Sequence, residues 1–493
     1  MDETEAQKKR VERKEHLPEG AINRRAFLQT VEILGISVGV GEMLAACGLR
    51  PTATPYPTVY NPGDNNPAYD PTLIAIGKST PMPSASSAPA GAAAPALATT
   101  SPKKISKKIS WMCVSCGQRL PTAEALKTHA LEMHSKRLPE IRRVEKPTYS
   151  EFLVGQVERF DERNTAFSRT AWDEEYLAKF KQAIAKGMAK AAQLSPEEQW
   201  AAFEGHALVA GSIYVDDAVG SLDESYGGYN GHMKDVGGLY GWDDPVNPTQ
   251  FPVSDPAWMS ERIKTVAKFY GADLVGITKV NPLWVYSNYF DRASGKSGPI
   301  EMPYPYAIVM GIEMSWDEIN KSPGYEASAA TALGYSRMAE LSASLAKYIR
   351  ALGYPALSCG NDTAQSIPLA IDAGLGEHGR NGLLLTPEFG PRQRLCKVFT
   401  SLPLLPDQPV DFESGSYCEK CHACSSSCPA RAIPTGDRTI EPTSVSNRPG
   451  IKRWTVNVSN CLLFWQENGG VDCSNCIASC PWALRSLRDW LET

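Results

Sequence analysis

From about residue 145 onwards, apolar runs of strand length alternate with segments of helical period. Strands are predicted at 272–280 and 306–314, and shorter ones at 354–358 and 395–400. Helices are predicted at 172–192, after the capping box Ser195-Pro196-Glu197-Glu198, after Asp255-Pro256, and at 327–352, where Gly353 ends the helix. This alternation predicts a layered α/β sheet domain over residues 145–405.

The N-terminal residues 1–47 do not fit a globular domain. A polar start is followed by Asn23-Arg24-Arg25-Ala26-Phe27-Leu28 and an apolar stretch at 31–46, which resembles a twin-arginine signal peptide. The stretch is too short for a membrane span and contains Glu32 and Glu42. Leu44-Ala45-Ala46-Cys47-Gly48 resembles a lipoprotein box, with ordinary signal-peptide cleavage nearby as the alternative. The expected location is the outer face of the cytoplasmic membrane, peripheral or lipid-anchored.

Two further segments precede the α/β domain. Residues 48–104 are a Pro/Ala/Ser/Thr tract with little charge, typical of a disordered linker. Residues 105–140 contain the ligand spacing of a two-cysteine, two-histidine zinc finger, with Leu120 and Leu126 as its small core. The four candidate ligands are Cys113, Cys116, His129 and His134. Coincidence, or a disulfide between the two cysteines, remains the alternative to one zinc.

Composition limits the number of domains and the kinds of partner, but it does not indicate a function. With 493 residues, about three domains are expected, and a hydrophobic fraction of 42% allows a large core. The net charge of −5 is small for this length, so the whole chain has no bias towards nucleic acid or a charged membrane surface.

The most informative pattern lies at the C-terminus, where eight of the thirteen cysteines form two runs. The first is Cys418-x2-Cys421-x2-Cys424-x3-Cys428-Pro429, and the second is Cys461-x11-Cys473-x2-Cys476-x3-Cys480-Pro481. In two-cluster ferredoxins the fourth cysteine of each run binds the other run's [4Fe-4S] cluster. One cluster is thus predicted on Cys418, Cys421, Cys424 and Cys480, and the other on Cys428, Cys461, Cys473 and Cys476. A disulfide framework or structural zinc fits this spacing less well. Residues 406–493 are therefore predicted to be a ferredoxin-like domain.

Three segments ahead of these runs carry a family resemblance. They are Gly360-Asn361-Asp362-Thr363-Ala364, then Ala373-Gly374-Leu375-Gly376-Glu377-His378-Gly379-Arg380-Asn381-Gly382-Leu383-Leu384, then Phe389-Gly390-Pro391-Arg392-Gln393-Arg394. Together with the export signal and the cysteine runs, they resemble the respiratory reductive dehalogenases. The resemblance implies a corrinoid in a nitroreductase-like α/β domain, with a ferredoxin-like domain that supplies electrons. The sequence has no D-x-H-x-x-G segment, which is consistent with base-off cobalamin.

The same resemblance implies roles for individual residues. Tyr335 is the expected proton donor, Arg394 the positive charge that stabilises its tyrosinate, and Asn361 its hydrogen-bond partner. Arg392 is the alternative to Arg394, on the expectation that it lies on the same strand face. The expected corrinoid contacts are Gly360, Asn361, His378, Asn381 and Arg392, and the candidate walls of an apolar substrate pocket are Trp284, Tyr286 and Trp316.

The expected activity is reductive removal of halide from a small organohalide, as the terminal reductase of an anaerobic respiratory chain. A small integral membrane anchor protein and a membrane electron donor are the expected partners, and no nucleic acid is expected. Two alternatives remain. One is an enzyme of the epoxyqueuosine reductase type, which the export signal and near-neutral charge disfavour. The other is a ferredoxin-type electron carrier, which the large preceding α/β domain disfavours.

Overall fold

The computed structural model describes residues 140–216, 246–292 and 295–483, together with residues 111, 112, 119, 120, 125 and 129. At its centre four strands form an antiparallel sheet in the order β4-β7-β11-β8. The strands of the described residues are β1 Trp111–Met112, β2 Arg119–Leu120, β3 Arg142–Arg143, β4 Leu274–Lys279, β5 Asn288–Phe290, β6 Ser297–Pro299, β7 Tyr306–Glu313, β8 Ala356–Cys359, β9 Glu377–His378, β10 Leu384–Leu385, β11 Gln393–Thr400 and β12 Val410–Asp411.

Helices surround this sheet and continue into the C-terminal region. They are α1 Ala166–Arg169, α2 Glu174–Ala191, α3 Pro196–Val215, α4 Pro256–Phe269, α5 Trp316–Ile319, α6 Tyr325–Ala351, α7 Ser366–Asp372, α8 Ser414–Lys420, α9 Ala423–Ser427, α10 Val458–Glu467 and α11 Asn475–Ala478. Short 3-10 helices lie at Ser150–Phe152, Glu162–Asn164, Pro282–Trp284 and Pro481–Ala483.

The sheet is covered on both faces, which explains the nearly continuous apolar runs of its strands. On one face, α4 and α6 bury side chains such as Ile263, Leu345 and Ile349 against the sheet. On the other face, α7 and the segment around Trp284 form a second apolar layer. A fully buried aliphatic side chain contributes about 1.5–3 kcal/mol, so these two layers supply much of the stability.

Helix boundaries follow the capping signals of the sequence. Ser195 and Glu198 form the expected capping box at the start of α3, and Asp255 caps α4 by accepting a hydrogen bond from Ala257 N. Gly353 follows α6 with φ +86°, a conformation that glycine adopts without strain. These starts and stops agree with the predictions to within about two residues, the usual uncertainty of a helix end.

The C-terminal region packs on this sandwich through hydrogen bonds to backbone groups. The carboxylate of Glu377 accepts 3.0 Å hydrogen bonds from Phe412 N and Ser414 N, at the start of α8. Arg380 donates to the carbonyl of Cys418 at 2.9 Å. Because Glu377 begins β9 and Arg380 follows it, the short hairpin β9–β10 joins the sheet domain to the cysteine-bearing region.

The N-terminal residues that can be described form the start of the expected small module. Strands β1 and β2 pair antiparallel, Trp111 with Leu120 and Met112 with Arg119, as expected for the hairpin of the finger-like segment. Residues 125 and 129 are helical. Cys113, Cys116 and His134 lie outside the described residues, so the zinc site stays a prediction. The signal peptide and linker also lie outside them. No helix within the described ranges has the length and apolarity required to cross a membrane.

Candidate active site and cysteine clusters

Tyr335, Asn361 and Arg394 come together from three elements. Tyr335 lies in the middle of α6, Asn361 follows β8, and Arg394 is the second residue of β11. Asn361 Nδ2 donates a 3.1 Å hydrogen bond to the Tyr335 hydroxyl oxygen. The guanidinium carbon of Arg394 lies 3.9 Å from the centroid of the Tyr335 ring. A phenol is thus held between an amide donor and a positive charge.

A glycine lets Arg394 approach the helix. A Cβ atom at Gly334 would lie 2.6 Å from Arg394 Cγ, closer than two carbon atoms can approach. The aliphatic stem of Arg394 therefore crosses α6 at the one position beside Tyr335 that has no side chain. A glycine in the interior of a helix normally destabilises it, and the close approach of Arg394 accounts for Gly334.

Buried charges anchor the loop that carries Asn361. Lys397 on β11 is fully buried, and its ammonium group donates a 2.7 Å hydrogen bond to the carbonyl of Gly360. Burial raises the pKa of Asp362, and the charge of Lys397 opposes that rise. Burial, followed by the charge of Asp362, raises the pKa of Glu162 to about 8. Sequence reasoning missed Lys397 because strand periodicity predicts an apolar side chain at its position in β11.

A cavity of about 910 Å³ opens beside Asn361. Its wall combines aromatic and aliphatic side chains with basic and acidic groups. The apolar part includes Trp284, Tyr286, Phe152, Ile367 and Ile371, and the charged part includes Arg142, Arg438, Lys452, Arg453, Glu377 and Glu419. Tyr335 and Arg394 are not among its lining residues, so Asn361 is the member of the trio that reaches the cavity. Its volume is at the upper end of the range for small-molecule sites, about 300–1,000 Å³.

His378 lies in the wall of this large cavity at the end of β9. Burial, with the positive charges of Arg453 and Arg438, lowers the pKa of His378 to about 4. The imidazole is therefore neutral at pH 7 and can both donate and accept a hydrogen bond.

A second aromatic group in the cavity wall is tied to a buried acid. Trp284 Nε1 donates to the Tyr149 hydroxyl at 2.8 Å, and this hydroxyl donates to Asp372 Oδ1 at 2.5 Å. The two rings meet edge to face, with centroids 4.9 Å apart. Burial raises the pKa of Asp372 to about 7. Tyr149 and Asp372 were not singled out in the sequence.

Four cysteines line a smaller cavity, and they come from both runs. Cys418, Cys421 and Cys424 of the first run share it with Cys480 of the second. Burial, followed by the charges of Cys418 and Cys421, raises the pKa of Cys424 to about 12. These four buried thiols are a donor set that a positively charged iron core would stabilise as thiolates.

The other four cysteines form a second group. Burial, followed by the charges of Cys473 and Cys428, raises the pKa of Cys461 to about 12. Burial raises the pKa of Cys476, followed by the charges of Cys461 and of Cys424, which belongs to the first group. The two groups are therefore neighbours. No three His, Cys, Asp or Glu side chains within the described ranges converge as a single metal ion requires. In a [4Fe-4S] cubane each thiolate binds a different iron, so its sulfurs do not converge on one point.

The large cavity and the four-cysteine cavity are separated by one helix and one loop. Gly415, Ser416 and Glu419 of α8 face the large cavity, and Tyr417 and Cys418 of the same helix face the smaller one. In the β9–β10 loop, His378 and Gly382 line the large cavity. Arg380 and Asn381, between them, line the smaller one. A redox group in one cavity would thus be within a short distance of a ligand in the other.

Several expected contacts lie elsewhere. Asn381 lines the four-cysteine cavity and donates to the Cys476 carbonyl at 3.5 Å. Arg392 directly precedes β11 and forms a 2.6 Å ion pair with Glu313, and it is not among the residues that line the large cavity. Gly360 contributes its carbonyl to Lys397 instead of lining the cavity. Trp316 packs against the cluster of buried side chains around Trp454, whereas Trp284 and Tyr286 do line the large cavity.

Comparison with known proteins connects the cysteine groups with this fold. Residues 417–484 match a family model described as a 4Fe-4S dicluster domain. Over 266 residues the chain is 38% identical to a tetrachloroethene reductive dehalogenase of Sulfurospirillum multivorans, covering 48% of this chain and 52% of that protein. The structure is also similar to the catabolic reductive dehalogenase NpRdhA in complex with 3-bromo-4-hydroxybenzoic acid. That match has a TM-score of 0.52 and 26% identity, over 71% of this chain and 46% of the other. Together, these similarities support a reductive dehalogenase family for this chain.

The similarity to reductive dehalogenases agrees with the predicted family and confirms the predicted fold class, an α/β domain followed by a ferredoxin-like region. The chain spans about half the length of the curated relatives it matches. An epoxyqueuosine reductase of Escherichia coli is also similar, 36% identical over 119 residues, which cover 23% of this chain and 29% of that protein. This shorter match supports the alternative activity less well than the longer matches support a reductive dehalogenase.

Proposed function

We propose that the protein removes halide from a small organohalide, using electrons that pass through two [4Fe-4S] clusters to a corrinoid. The observation that carries this proposal is the short separation between the two cavities. One helix, α8, contributes Cys418 to the cysteine cavity and Gly415 and Glu419 to the large cavity. An electron carrier alone would have no use for a cavity of about 910 Å³ next to its cluster.

The cluster ligands follow the crossed pattern. We assign Cys418, Cys421, Cys424 and Cys480 to the cluster nearer the large cavity, and Cys428, Cys461, Cys473 and Cys476 to the other. The four cysteines of the first group are buried, whereas all four of the second group are partly exposed to solvent. Electrons would therefore enter at the second cluster and leave from the first.

The large cavity suits a cofactor bigger than the substrate. A bound corrinoid would supply a low-potential metal centre that can reduce a carbon–halogen bond. Trp284 and Tyr286 offer apolar surface to it, while Asn361, the neutral His378 and the basic side chains Arg438 and Arg453 offer hydrogen bonds to its polar periphery. The chemistry of this wall fits a large ligand that is apolar in its interior and polar at its rim.

Tyr335 would supply the proton that replaces the halide. Because Asn361 donates to the phenolic oxygen, the hydroxyl proton of Tyr335 remains available to the substrate carbon. An isolated tyrosine has a pKa of about 10, so loss of its proton needs a nearby positive charge. Arg394 lies against the ring and would stabilise the tyrosinate.

The remaining proposals concern the parts outside the catalytic domain. We propose export through the twin-arginine route, an outer-face location with a membrane anchor protein and electron donor, and one zinc at Cys113, Cys116, His129 and His134. The paired strands β1 and β2 support the hairpin of this module. The signal-like segment at 23–46 supports export.

Cofactor analysis and turnover of anaerobically purified protein test the proposal. About eight irons and one cobalt are expected per chain. Tyr335→Phe should retain both metals yet lose about 10²–10⁴-fold in hydrogenolysis of a monochloroalkene, because that reaction consumes a proton. Vicinal elimination from a 1,2-dichloroalkane consumes two electrons and no proton, so it should persist.

Tyr348→Phe is the matched control, since Tyr348 lies on the same helix and packs against the same apolar layer as Tyr335. It should leave both reactions intact. An active preparation without cobalt would contradict the corrinoid assignment, and full hydrogenolysis by Tyr335→Phe would show that the proton comes from another group.

A further inference from the structure

A buried arginine lies in the β9–β10 loop between the two cavities. Arg380 is 2% exposed and lines the four-cysteine cavity. His378 and Gly382, on either side of it in the same loop, line the large cavity. The loop therefore places a positive charge, almost closed off from water, against the group of cysteines nearer the large cavity.

Backbone carbonyls hold the guanidinium of Arg380 in this place. Its Nε donates to the Cys418 carbonyl at 2.9 Å, and its Nη2 donates to the neighbouring Glu419 carbonyl at 3.3 Å. Its Nη1 donates to the carbonyls of Pro434 and Gly436, at 3.0 and 2.8 Å. These four hydrogen bonds fix the side chain against α8, the helix that carries the cluster ligand Cys418.

Carbonyl groups satisfy the hydrogen-bond donors of Arg380 but do not cancel its charge. Within the part of the chain that the structure describes, no carboxylate forms an ion pair with this guanidinium. A neighbouring arginine is different. Arg438 lies against the same Trp454 ring, 4.0 Å from its centroid compared with 4.7 Å for Arg380, and forms a 2.5 Å ion pair with Glu419. Since a buried charge is costly unless it is paired, the charge of Arg380 calls for a partner that is not a protein side chain.

The ring of Trp454 also keeps water away from this charge. Trp454 is fully buried and packs in the same apolar cluster as Cys418 and Cys480. A charge in such surroundings is weakly screened, so it acts strongly on a neighbouring charged group. The neighbouring group with the opposite charge would be the cluster itself, because four thiolates outweigh the positive charge of an iron–sulfur core.

We propose that Arg380 raises the reduction potential of the first cluster, the one assigned to Cys418, Cys421, Cys424 and Cys480. Reduction makes this cluster more negative by one unit, and a fixed cation beside it stabilises the reduced form more than the oxidised form. Arg380 would act by its charge and would bind neither iron, substrate nor corrinoid. This inference rests on the cluster assignment in the proposed function.

The direction of electron transfer follows from this effect. One electron leaves the reduced second cluster and is accepted by the oxidised first cluster, and no bond or proton changes. A higher potential at the first cluster favours this step, which brings the electron next to the large cavity. Sequence reasoning gave Arg380 no role, because Arg380 is 38 positions from Cys418 and the sequence does not show which side chains of the loop face the cysteines.

Arg380→Gln and Arg380→Lys in the complete holoprotein test the proposal. Both variants disturb the four hydrogen bonds, but only Arg380→Gln removes the charge. In potentiometric titrations followed by electron paramagnetic resonance, we expect Arg380→Gln to lower the ratio of reduced to oxidised first cluster at a fixed potential by about tenfold, which is a shift of about 59 mV to a more negative potential for a one-electron couple. Arg380→Lys should stay close to wild type, and the second cluster should shift less in both variants. Arg262→Gln, at an exposed arginine of α4, is the charge-matched control and should shift neither cluster.

A purely structural role would affect both variants alike. Equal shifts in Arg380→Gln and Arg380→Lys would overturn the proposal, as would an unchanged potential of the first cluster in Arg380→Gln. Should Arg380→Gln lose iron, Asn381→Asp provides a second test, because Asn381 is buried in the wall of the same cavity. This change keeps the side-chain shape and adds a negative charge beside Arg380, so the first cluster should become harder to reduce, and an unchanged potential would overturn the proposal. Because these titrations do not depend on turnover, a wild-type protein that assembles both clusters but dehalogenates neither substrate would contradict the proposed function alone.

Discussion

At the scale of single residues, the surroundings of Tyr335 depend on a missing side chain as well as on two polar neighbours. Gly334 has no side chain, so Arg394 can cross the helix next to Tyr335. Asn361 reaches the same hydroxyl from the loop after β8. The family resemblance predicted this trio by residue type, but the need for a glycine at 334 follows only from the packed structure.

Gly334→Ala should therefore displace Arg394 without changing a charged or titratable group. Since alanine favours a helix more than glycine does, by about 1 kcal/mol, the helix itself should remain folded. We expect unchanged iron content and slower hydrogenolysis, with elimination retained. Anaerobic turnover of the two substrates measures this, and Gly211→Ala, where a Cβ would meet no atom within 4 Å, is the control. Equal hydrogenolysis in both variants would mean that the contact between Arg394 and α6 is not needed.

At the scale of elements, the segment around Tyr149 is attached to the end of α7 through a buried acid. The Tyr149 hydroxyl donates to Asp372, the last residue of α7. A carboxyl group with a pKa of about 7 when folded and about 3.9 when unfolded holds its proton longer in the folded state. Stability therefore falls as the pH rises from about 4 to about 7, because the unfolded state ionises first.

Asp372→Asn should remove this penalty and keep an oxygen acceptor for Tyr149. We expect the variant to gain thermal stability relative to wild type, by more at pH 8 than at pH 5. Unfolding midpoints of the anaerobic holoprotein at the two pH values provide the measurement. Asp437→Asn, at an exposed acid, should not show this dependence. A variant advantage that is the same at both pH values would contradict a raised pKa at Asp372.

The elements themselves could largely be predicted from the sequence. Buried strands such as β7 and β11 have apolar runs, and α3 and α4 begin at residues whose side chains cap them. Hydrophobic periodicity could not reveal which buried positions carry charged side chains. Lys397 and Asp362 are buried because they interact at the loop that carries Asn361. The ion pair of Arg392 with Glu313 likewise depends on tertiary contact.

At the scale of the whole molecule, the C-terminal region completes the sheet domain as well as carrying clusters. Arg448 donates a 2.9 Å hydrogen bond to the carbonyl of Leu283, at the turn before Trp284 in the cavity wall. Lys452 and Arg453 line the large cavity itself. Removing the cluster region would therefore open one side of the proposed cofactor site. The sheet domain and the cluster region are thus expected to fold as one unit.

The crossed arrangement of cysteines gives the most direct test at this scale. Because Cys480 lines the cavity of the first group, Cys480→Ser should alter the same cluster as Cys421→Ser, although the two residues belong to different runs. The charge of Cys428 contributes to the raised pKa of both Cys461 and Cys473, so it lies near them. Cys428→Ser should therefore reproduce the effect of Cys473→Ser. Electron paramagnetic resonance spectra of the four reduced variants, recorded during potentiometric titration, would assign each loss to a cluster. Pairing of Cys480→Ser with Cys473→Ser instead would mean that each run binds its own cluster. In that case α8 would connect the large cavity with a cluster held by the first run alone, and electrons would have to leave from that cluster.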